Sequence, residues 1–503
     1  MSKEPILSNQ LEIISKWLKD NGVKINGNMI KLVYLGGNNE SKETNSTTAE
    51  SNVIVSGLGV VCNKKLELDD IVAKIPKDVV LSVHTCSISK ILSKIKMEKP
   101  IATSIALMYE ASIGKKSRWF GYISSLPIKV DLPILWDQES AELLRGTVLE
   151  DVLAKDHVYL EKAYNKYFRD NLIKNHPEIF GNESIFNIET FKIANTIISS
   201  RAFQVDSYHG DSLVPLADIF NHKTARENVH IESNGDVCDK CGSFNSCKHR
   251  KVLKSKGYDD DEEEEEEDDD QEEEDENQED VDSEEIQQED DEHLYFTVVK
   301  QVEKGDEVYN TYGDHDNAML LSKYGFLEMD NPCDRLPIDR ELVDDYLVNH
   351  SNMEPIQLKK RLSFYSSIFD QESRDNHFID IDGKLDDAFI CSLGICLAPS
   401  EVFTGWTKMS SSKLEKFFDA LQADDIVRQS VLVKTAITTI LDKRFNNYPL
   451  NTTLDSDEKQ LKQLEQQQNS QQSPNLSRHI LSLSLKICEK RLIERSLNYY
   501  NSL

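Results

Sequence analysis

The chain is short of several things. Its nine cysteines are an odd number with no regular framework. That excludes the disulfide scaffold of a small secreted domain and points to a reducing compartment. No run of 18 apolar residues occurs, so no membrane-spanning helix is expected. Residues 1–10 lack the charged and apolar regions of a secretory signal. There is no internal repeat of fixed period, so an array of stacked repeats is not expected. Positive charge is also scarce, with 58 Lys and Arg against 89 Asp and Glu, for a net −31. A nucleic-acid binder needs a basic face, so direct nucleic-acid binding is not expected.

The charge deficit is local. Residues 259–292 hold 26 Asp and Glu and no Lys or Arg, and without them the net charge is −5. The rest of the chain is nearly balanced. With 503 residues it is long enough for two or three domains and a sizeable core. The expectation is a cytoplasmic or nuclear protein, monomeric and without a membrane.

Apolar spacing predicts a short amphipathic helix over 9–22. A polar loop at 36–52 follows. Short β-branched runs at 53–55, 60–61, 71–75 and 79–83, broken by Gly57, Gly59 and Pro76, read as a meander of strands. From about 88 to 204 the period turns helical, with helices over 101–113, 157–174 and 188–202. Asn187 is placed to cap the last of these, which ends at Arg201. Strands are expected at 228–232, 294–299 and 305–309. The connection between the first two is too long for a hairpin, so about 234–293 reads as an insertion. From about 338 onward the pattern is helical, interrupted by a Gln-rich, low-complexity connector at about 455–475.

The run 215–222, Pro-Leu-Ala-Asp-Ile-Phe-Asn-His, sets Asp218, Asn221 and His222 among residues that favour burial. Buried polar side chains need partners. The run is either a polar turn that satisfies itself or half of a site. Gly57-Leu-Gly59 is either a plain tight turn or a place where backbone approaches a ligand. It is not a dinucleotide fingerprint, since the third glycine and the following helix are missing. Tyrosines at 309, 312 and 324 could each be a core residue, but three within 16 residues, two followed by glycine, also fit a site.

Taken in order, Ser56-Gly-Leu-Gly59, Ser200-Arg-Ala-Phe203, Asp218-x-x-Asn221-His222, Asn310-Thr-Tyr-Gly313 and Tyr324-Gly-Phe326 resemble the SET-domain methyltransferases. More narrowly, they resemble the branch with the Rubisco large-subunit lysine methyltransferase and the fungal ribosomal-protein lysine methyltransferases. The resemblance covers about residues 25–445. It implies an α+β fold: a β-rich SET domain at 25–335, with a pseudoknot and an inserted helical subdomain at about 88–204. An all-α substrate-binding domain at 336–503 follows.

The resemblance also implies roles. Ser56, Gly57, Leu58, Gly59, Arg201, Asn221, His222 and Tyr324 would bind S-adenosylmethionine. Asp218 would line the substrate side, and Tyr312 would be the catalytic tyrosine, touching the target lysine. Two departures are visible: Lys223 stands where Ser or Thr often follows Asn-His, and the acidic insertion lengthens a usually short connection. The function implied is protein-lysine N-methylation of a non-histone target, a ribosomal or translation protein first. Two alternatives stay open: methylation of a protein histidine, as in the actin-modifying relatives, and a non-catalytic SET-fold module that binds basic proteins.

Lysine has an ordinary pKa of about 10.4, so the amine must be deprotonated before it attacks a methyl group. A narrow apolar channel and a nearby sulfonium both disfavour the ammonium. No strong base stands beside Tyr312 in sequence, which is compatible with that route.

Three features lie outside the motifs. Cys238-x2-Cys241-x5-Cys247-x-His249 offers four ligands for a structural zinc, or four free side chains on an insertion. The basic run 248–256 reads as an import signal or an ordinary charged stretch. The acidic block cannot bury enough apolar surface to order itself. It either solvates the chain or attracts basic substrates.

Overall fold

The computed structural model describes residues 4–35, 57–233, 237–243, 247–249, 292–349, 353–369, 377–410, 412–414, 416–417, 427–428, 430–449, 452–471 and 473–503. The expected strand at 53–55, the loop 36–52 and the acidic block up to 291 lie outside these residues. The chain forms two compact units, each discontinuous in sequence. One gathers residues 4–35, 57–130 and 161–313; the other gathers 131–160 and everything from 314.

The first unit is built on strands β1 (Lys24–Ile25), β2 (Ile30–Leu35), β3 (Gly57–Cys62), β4 (Ile71–Pro76), β5 (Ala202–Gln204), β6 (Asp211–Leu213), β7 (Val229–Ser233) and β8 (His293–Val298). A four-stranded sheet has the order β1-β4-β8-β7, and β2-β3 and β5-β6 form antiparallel pairs. Strand β4 is buried from Ile71 to Ile75. A strand covered on both faces reads as a continuous apolar run. The exception, Lys74, lies over the Tyr295 ring at 5.6 Å, where the π-face partly replaces water around the ammonium. Strands β7 and β8 pair antiparallel with Ile231 opposite Phe296. The long insertion therefore leaves and re-enters at neighbouring strands.

Helices of this unit include Glu4–Asp20, Lys99–Ser112 and Ile188–Arg201. The last starts where the sequence suggests. The Asn187 side chain accepts from Thr190 N–H, and the Thr190 hydroxyl reaches back to the Asn187 N–H, which closes a capping box. The helix stops at Arg201 because the chain turns extended at Ala202 and pairs into β5. That stop fixes where the Arg201 side chain leaves the backbone. Leu149–Ala163 continues as a wide π-turn stretch, Tyr164–Ile173. There Phe168 packs against Phe180, Phe186 and Phe191.

Three local expectations differ from what forms. Gly57-Leu-Gly59 is not a turn but the start of strand β3, with Gly59 opposite Val33. Residues 79–83 do not make a strand. A short 3₁₀ turn, Lys77–Val79, leads to one bridge between Leu81 and Leu213. Residues 305–309 make only an isolated bridge, Val61 with Glu307. The apolar runs there are too short to outweigh the turns beside them.

The second unit is helical, with one small pair, β9 (Leu336–Pro337) and β10 (Phe378–Ile379). Arg340–Asn349, Pro355–Ser366, Asp387–Leu397, Val431–Phe445 and the closing helix Pro474–Ser502 surround a core that includes Val343, Leu393, Ile437 and Ile493. The Gln-rich connector expected at 455–475 is instead mostly the helix Leu454–Ser470. Thr453 caps it, and Leu461 and Leu464 bury against Ile480, Leu483 and Ile487 of the closing helix. Glutamine is a good helix former, and two leucines three apart are enough to seat one face. Among the described residues, no single helix is long and apolar enough to cross a membrane.

Candidate active site

Three segments far apart in sequence meet in the first unit. They are β3, the stretch 217–222 and the stretch 307–312. Val308 N–H donates to the Val60 carbonyl at 2.8 Å, and Asn310 N–H donates to the Asn221 carbonyl at 2.8 Å. Asn310 also bridges in parallel to His222 and to Val229. The backbone enters 217–222 through a strained point, since Leu216 holds φ +81° without being glycine. Such strain needs the surrounding structure to hold it, and Leu216 is fully buried.

His222 and Tyr312 interlock. The Tyr312 N–H donates to His222 Nδ1 at 3.0 Å, so that nitrogen carries no proton. His222 Nε2 lies 3.0 Å from the Thr224 hydroxyl. The two rings stack at 5.0 Å and 17°, and Phe203 meets the Tyr312 ring edge-on at 6.3 Å. The Tyr312 hydroxyl donates to the Phe220 carbonyl at 3.0 Å. A phenol has one proton and two lone pairs. With the proton committed to Phe220, the oxygen presents itself to other groups as an acceptor.

Asn221 reaches the other way. Its Nδ2 donates to Glu307 Oε1 at 2.6 Å, while Glu307 Oε2 accepts from the Tyr309 hydroxyl at 3.0 Å. Gly59 sits against this group. A Cβ added there would fall 2.2 Å from Leu35 Cδ1 and 3.3 Å from Asn221 Nδ2. The glycine therefore leaves room for the Leu35 side chain and does not serve a left-handed backbone.

Arg201 and Asp218 pair. Arg201 Nη1 donates to the Asp218 carbonyl at 2.9 Å and lies 3.3 Å from its Oδ2. Burial pushes the Asp218 carboxyl up, and the Arg201 guanidinium opposes that shift. Burial also pushes the Tyr122 phenol well above its usual range, and the nearby Asp218 adds to this. Asp218 thus bonds the Arg201 guanidinium, a tie that the sequence did not suggest. Among the described residues, Arg201 Nε and Asn310 Nδ2 are buried without a hydrogen-bond partner. Leaving such atoms unpaired costs about 1–3 kcal/mol each.

Of the residues singled out in the sequence, Gly57, Leu58, Gly59, Arg201, Asp218, Asn221, His222 and Tyr312 all lie in this unit. Ser56 lies outside the described residues. Tyr324 belongs to the second unit, where its ring stacks with His315 at 5.7 Å and burial raises its phenol. Cys238, Cys241, Cys247 and His249 draw together, with their ligand atoms all within 4.8 Å of one another. Sequence reasoning missed Glu307, Tyr122 and Thr224. Only Glu307 left a trace, as an acid in an otherwise strand-like run.

No family model matches the chain. A crystal structure of the SET domain of LSMT, bound to lysine and AdoHcy, superposes with a TM-score of 0.60 at 18% identity, covering 99% of this chain and 92% of that one. The chain has the SET-domain methyltransferase fold. Its sequence relatives agree with the branch that the motif order resembles. The ribosomal lysine N-methyltransferase 3 of Saccharomyces cerevisiae is 27% identical over 329 residues, covering 56% of this chain and 58% of that protein. The chloroplastic [fructose-bisphosphate aldolase]-lysine N-methyltransferase of Arabidopsis thaliana is 28% identical over 210 residues, 42% of this chain and 39% of that one. The chain thus matches less than two thirds of the length of these relatives. The residues around Tyr312 and Asn221 come from β3, from β5 directly after the helix Ile188–Arg201, and from the stretches 217–222 and 307–312.

Proposed function

We propose that this chain is an S-adenosylmethionine-dependent protein-lysine N-methyltransferase that acts on a non-histone protein. The observation that carries the reading is the locked Tyr312, whose ring, N–H and hydroxyl proton are all committed beside His222 and Asn221. It is supported by relatives named as lysine N-methyltransferases and by a structural neighbour that holds AdoHcy and lysine. Ribosomal or translation proteins are the first substrate class, following the yeast relative.

In this reading the β-rich part spans 25–335 and carries the inserted helices. The strand-like passage of 309–312 beside 221–222 is its pseudoknot, and the helices from 336 onward hold the substrate. The cytoplasm or nucleus is the expected compartment. Gly57, Leu58, Gly59, Asn221 and His222 frame the cofactor. The cofactor, when bound, supplies a methyl group on a positively charged sulfur.

The protein's own residues do three things. Arg201 Nε and Asn310 Nδ2 would donate to the cofactor carboxylate, which would satisfy two buried donors. Asp218 holds Arg201 in place through its carbonyl and carboxylate. The Tyr312 oxygen accepts from the lysine nitrogen and aligns it. Neutral lysine is reached by desolvation in an apolar approach, so no strong base is required at Tyr312. Much of the rate comes from alignment.

The test is incubation of the protein with methyl-labelled S-adenosylmethionine and cell extract, followed by mass spectrometry of the labelled band. Methyl-lysine on a ribosomal or translation protein is expected. Methyl-histidine would replace lysine as the target. The absence of any labelled protein would leave only a binding module and would sink the proposal.

A further inference from the structure

The inference concerns the β7–β8 insertion and is independent of methyl transfer. The chain leaves β7 at Ser233 and reaches Cys238 within five residues. Cys238 to Ser243 fold into a tight knuckle. The Cys241 and Gly242 N–H groups both donate to the Cys238 carbonyl, at 3.3 and 2.8 Å, and the Cys238 N–H donates to the Ser243 carbonyl at 2.9 Å. Gly242 makes the turn possible, with φ +69°. This curl puts the side chains of Cys238 and Cys241 on one side. Cys247 and His249, two apart at a turn, bring their ligand atoms to the same place. The result is three sulfurs and one imidazole nitrogen all within 4.8 Å of one another. None of these cysteines is in a disulfide.

We propose that Cys238, Cys241, Cys247 and His249 bind one zinc ion. A tetrahedral site with metal–sulfur bonds of about 2.3 Å has ligand atoms about 3.8 Å apart. The four atoms need to close by only about 1 Å to reach it. Three thiolates and an imidazole suit zinc in its structural form. All four positions are filled by protein, so the ion has no place for water or substrate and does no chemistry. On binding, the three thiols lose their protons to solvent and the thiolates bond the metal.

The knuckle is braced from below. The Ser207 hydroxyl donates to the Val237 carbonyl at 2.8 Å. The Tyr208 ring lies so close under Gly242 that an added Cβ would sit 2.8 Å from it. Tyr208 in turn stacks on His84 at 4.0 Å. Ser207 and Tyr208 belong to the turn between β5 and β6, the hairpin that follows Arg201 directly. The zinc therefore fixes the root of the insertion to that hairpin. The acidic block begins ten residues beyond His249.

The experiment uses the full chain, purified without a histidine tag and without chelator. It is incubated with a slight excess of zinc, desalted and analysed for all transition metals. About one zinc per chain is expected, falling below about a tenth in Cys241→Ser/Cys247→Ser. Cobalt substitution of the unmutated chain is expected to give the thiolate charge-transfer and tetrahedral d–d bands of a three-sulfur site. That readout needs no folded variant. Less than about a tenth of an equivalent of zinc in the wild type overturns the proposal. So do full zinc content in the double variant, a different metal in its place, or cobalt bands without thiolate character. None of these results bears on the methyl-transfer reading, which is assayed separately.

Discussion

Removing a single oxygen, by Tyr312→Phe, separates what Tyr312 does for the fold from what it does for the reaction. The substitution deletes the bond from the hydroxyl to the Phe220 carbonyl. A neutral hydrogen bond of this kind contributes about 1 kcal/mol net. For a unit of this size that lowers the melting temperature by only about 2–4 °C. Everything else survives: the N–H bond to His222, the stack on its ring at 5.0 Å and the edge contact with Phe203. The cofactor should therefore bind within about threefold of wild type, because the polar groups assigned to it are untouched. Turnover should fall at least about a hundredfold, which is about 2.7 kcal/mol of transition-state stabilisation. A stability loss of about 1 kcal/mol leaves almost all molecules folded, so unfolding cannot imitate that result. Calorimetric titration gives the affinity, single-turnover methyl transfer gives the rate, and a thermal melt gives the stability. A variant that binds the cofactor normally and turns over within threefold of wild type would refute the role given to the oxygen.

Asn221→Ala removes the bond to Glu307 and leaves the Asn221 carbonyl on Asn310. Cofactor affinity should drop by about tenfold or more, as for a lost polar contact of about 1.4 kcal/mol, measured by the same titration. In the second unit, Glu489 accepts from Arg444 at 3.1 Å, from the Tyr448 hydroxyl at 2.6 Å and from Val148 N–H at 3.0 Å. Breaking one side of a buried pair costs about 3–5 kcal/mol, so Glu489→Ala should shift urea denaturation to markedly lower midpoints. Asp206 is held down to about 2 from an ordinary 3.8: burial works to raise it, but His209, its backbone N–H and Lys77 outweigh burial. A depressed carboxyl stabilises the fold fully above its ordinary value and loses that contribution as pH falls through about 2. The stabilities of wild type and Asp206→Asn, measured by denaturant titration, should therefore differ above pH 4 and converge toward pH 2.

Much of this architecture could be read from residue order, and the failures have physical causes. The helix ending at Arg201 was legible because Asn187 signals its start and apolar residues repeat along it. Strands β7 and β8 were legible because both are short β-branched or aromatic runs. Leu454–Ser470 was not, because its polar composition hides the two leucines that seat it. The motif residues were found, but their partners were not. Glu307 meets Asn221 from 86 residues away, and the Tyr122 environment includes Asp218 from a different part of the chain. Pairings of that kind are made by the fold and leave no spacing in the sequence. Gly59 looked like a flexible turn residue. Its constraint comes from Leu35 and Asn221, neither of which is a sequence neighbour.

The discontinuity of the second unit has a practical consequence for fragments. Arg478 on the closing helix binds Asp131 at 2.7 Å and Asp137 at 2.6 Å, and Glu489 caps Val148 N–H. These pairs join residues more than 340 positions apart. A piece that starts at 314 would carry a buried arginine without its two carboxylate partners and a buried glutamate without one of its three donors. In folding, residues 131–160 gain these partners only once the helix Pro474–Ser502 packs. Contacts of such long range make for slow completion. The helix Pro474–Ser502 is therefore part of the core of the unit rather than a trimmable tail.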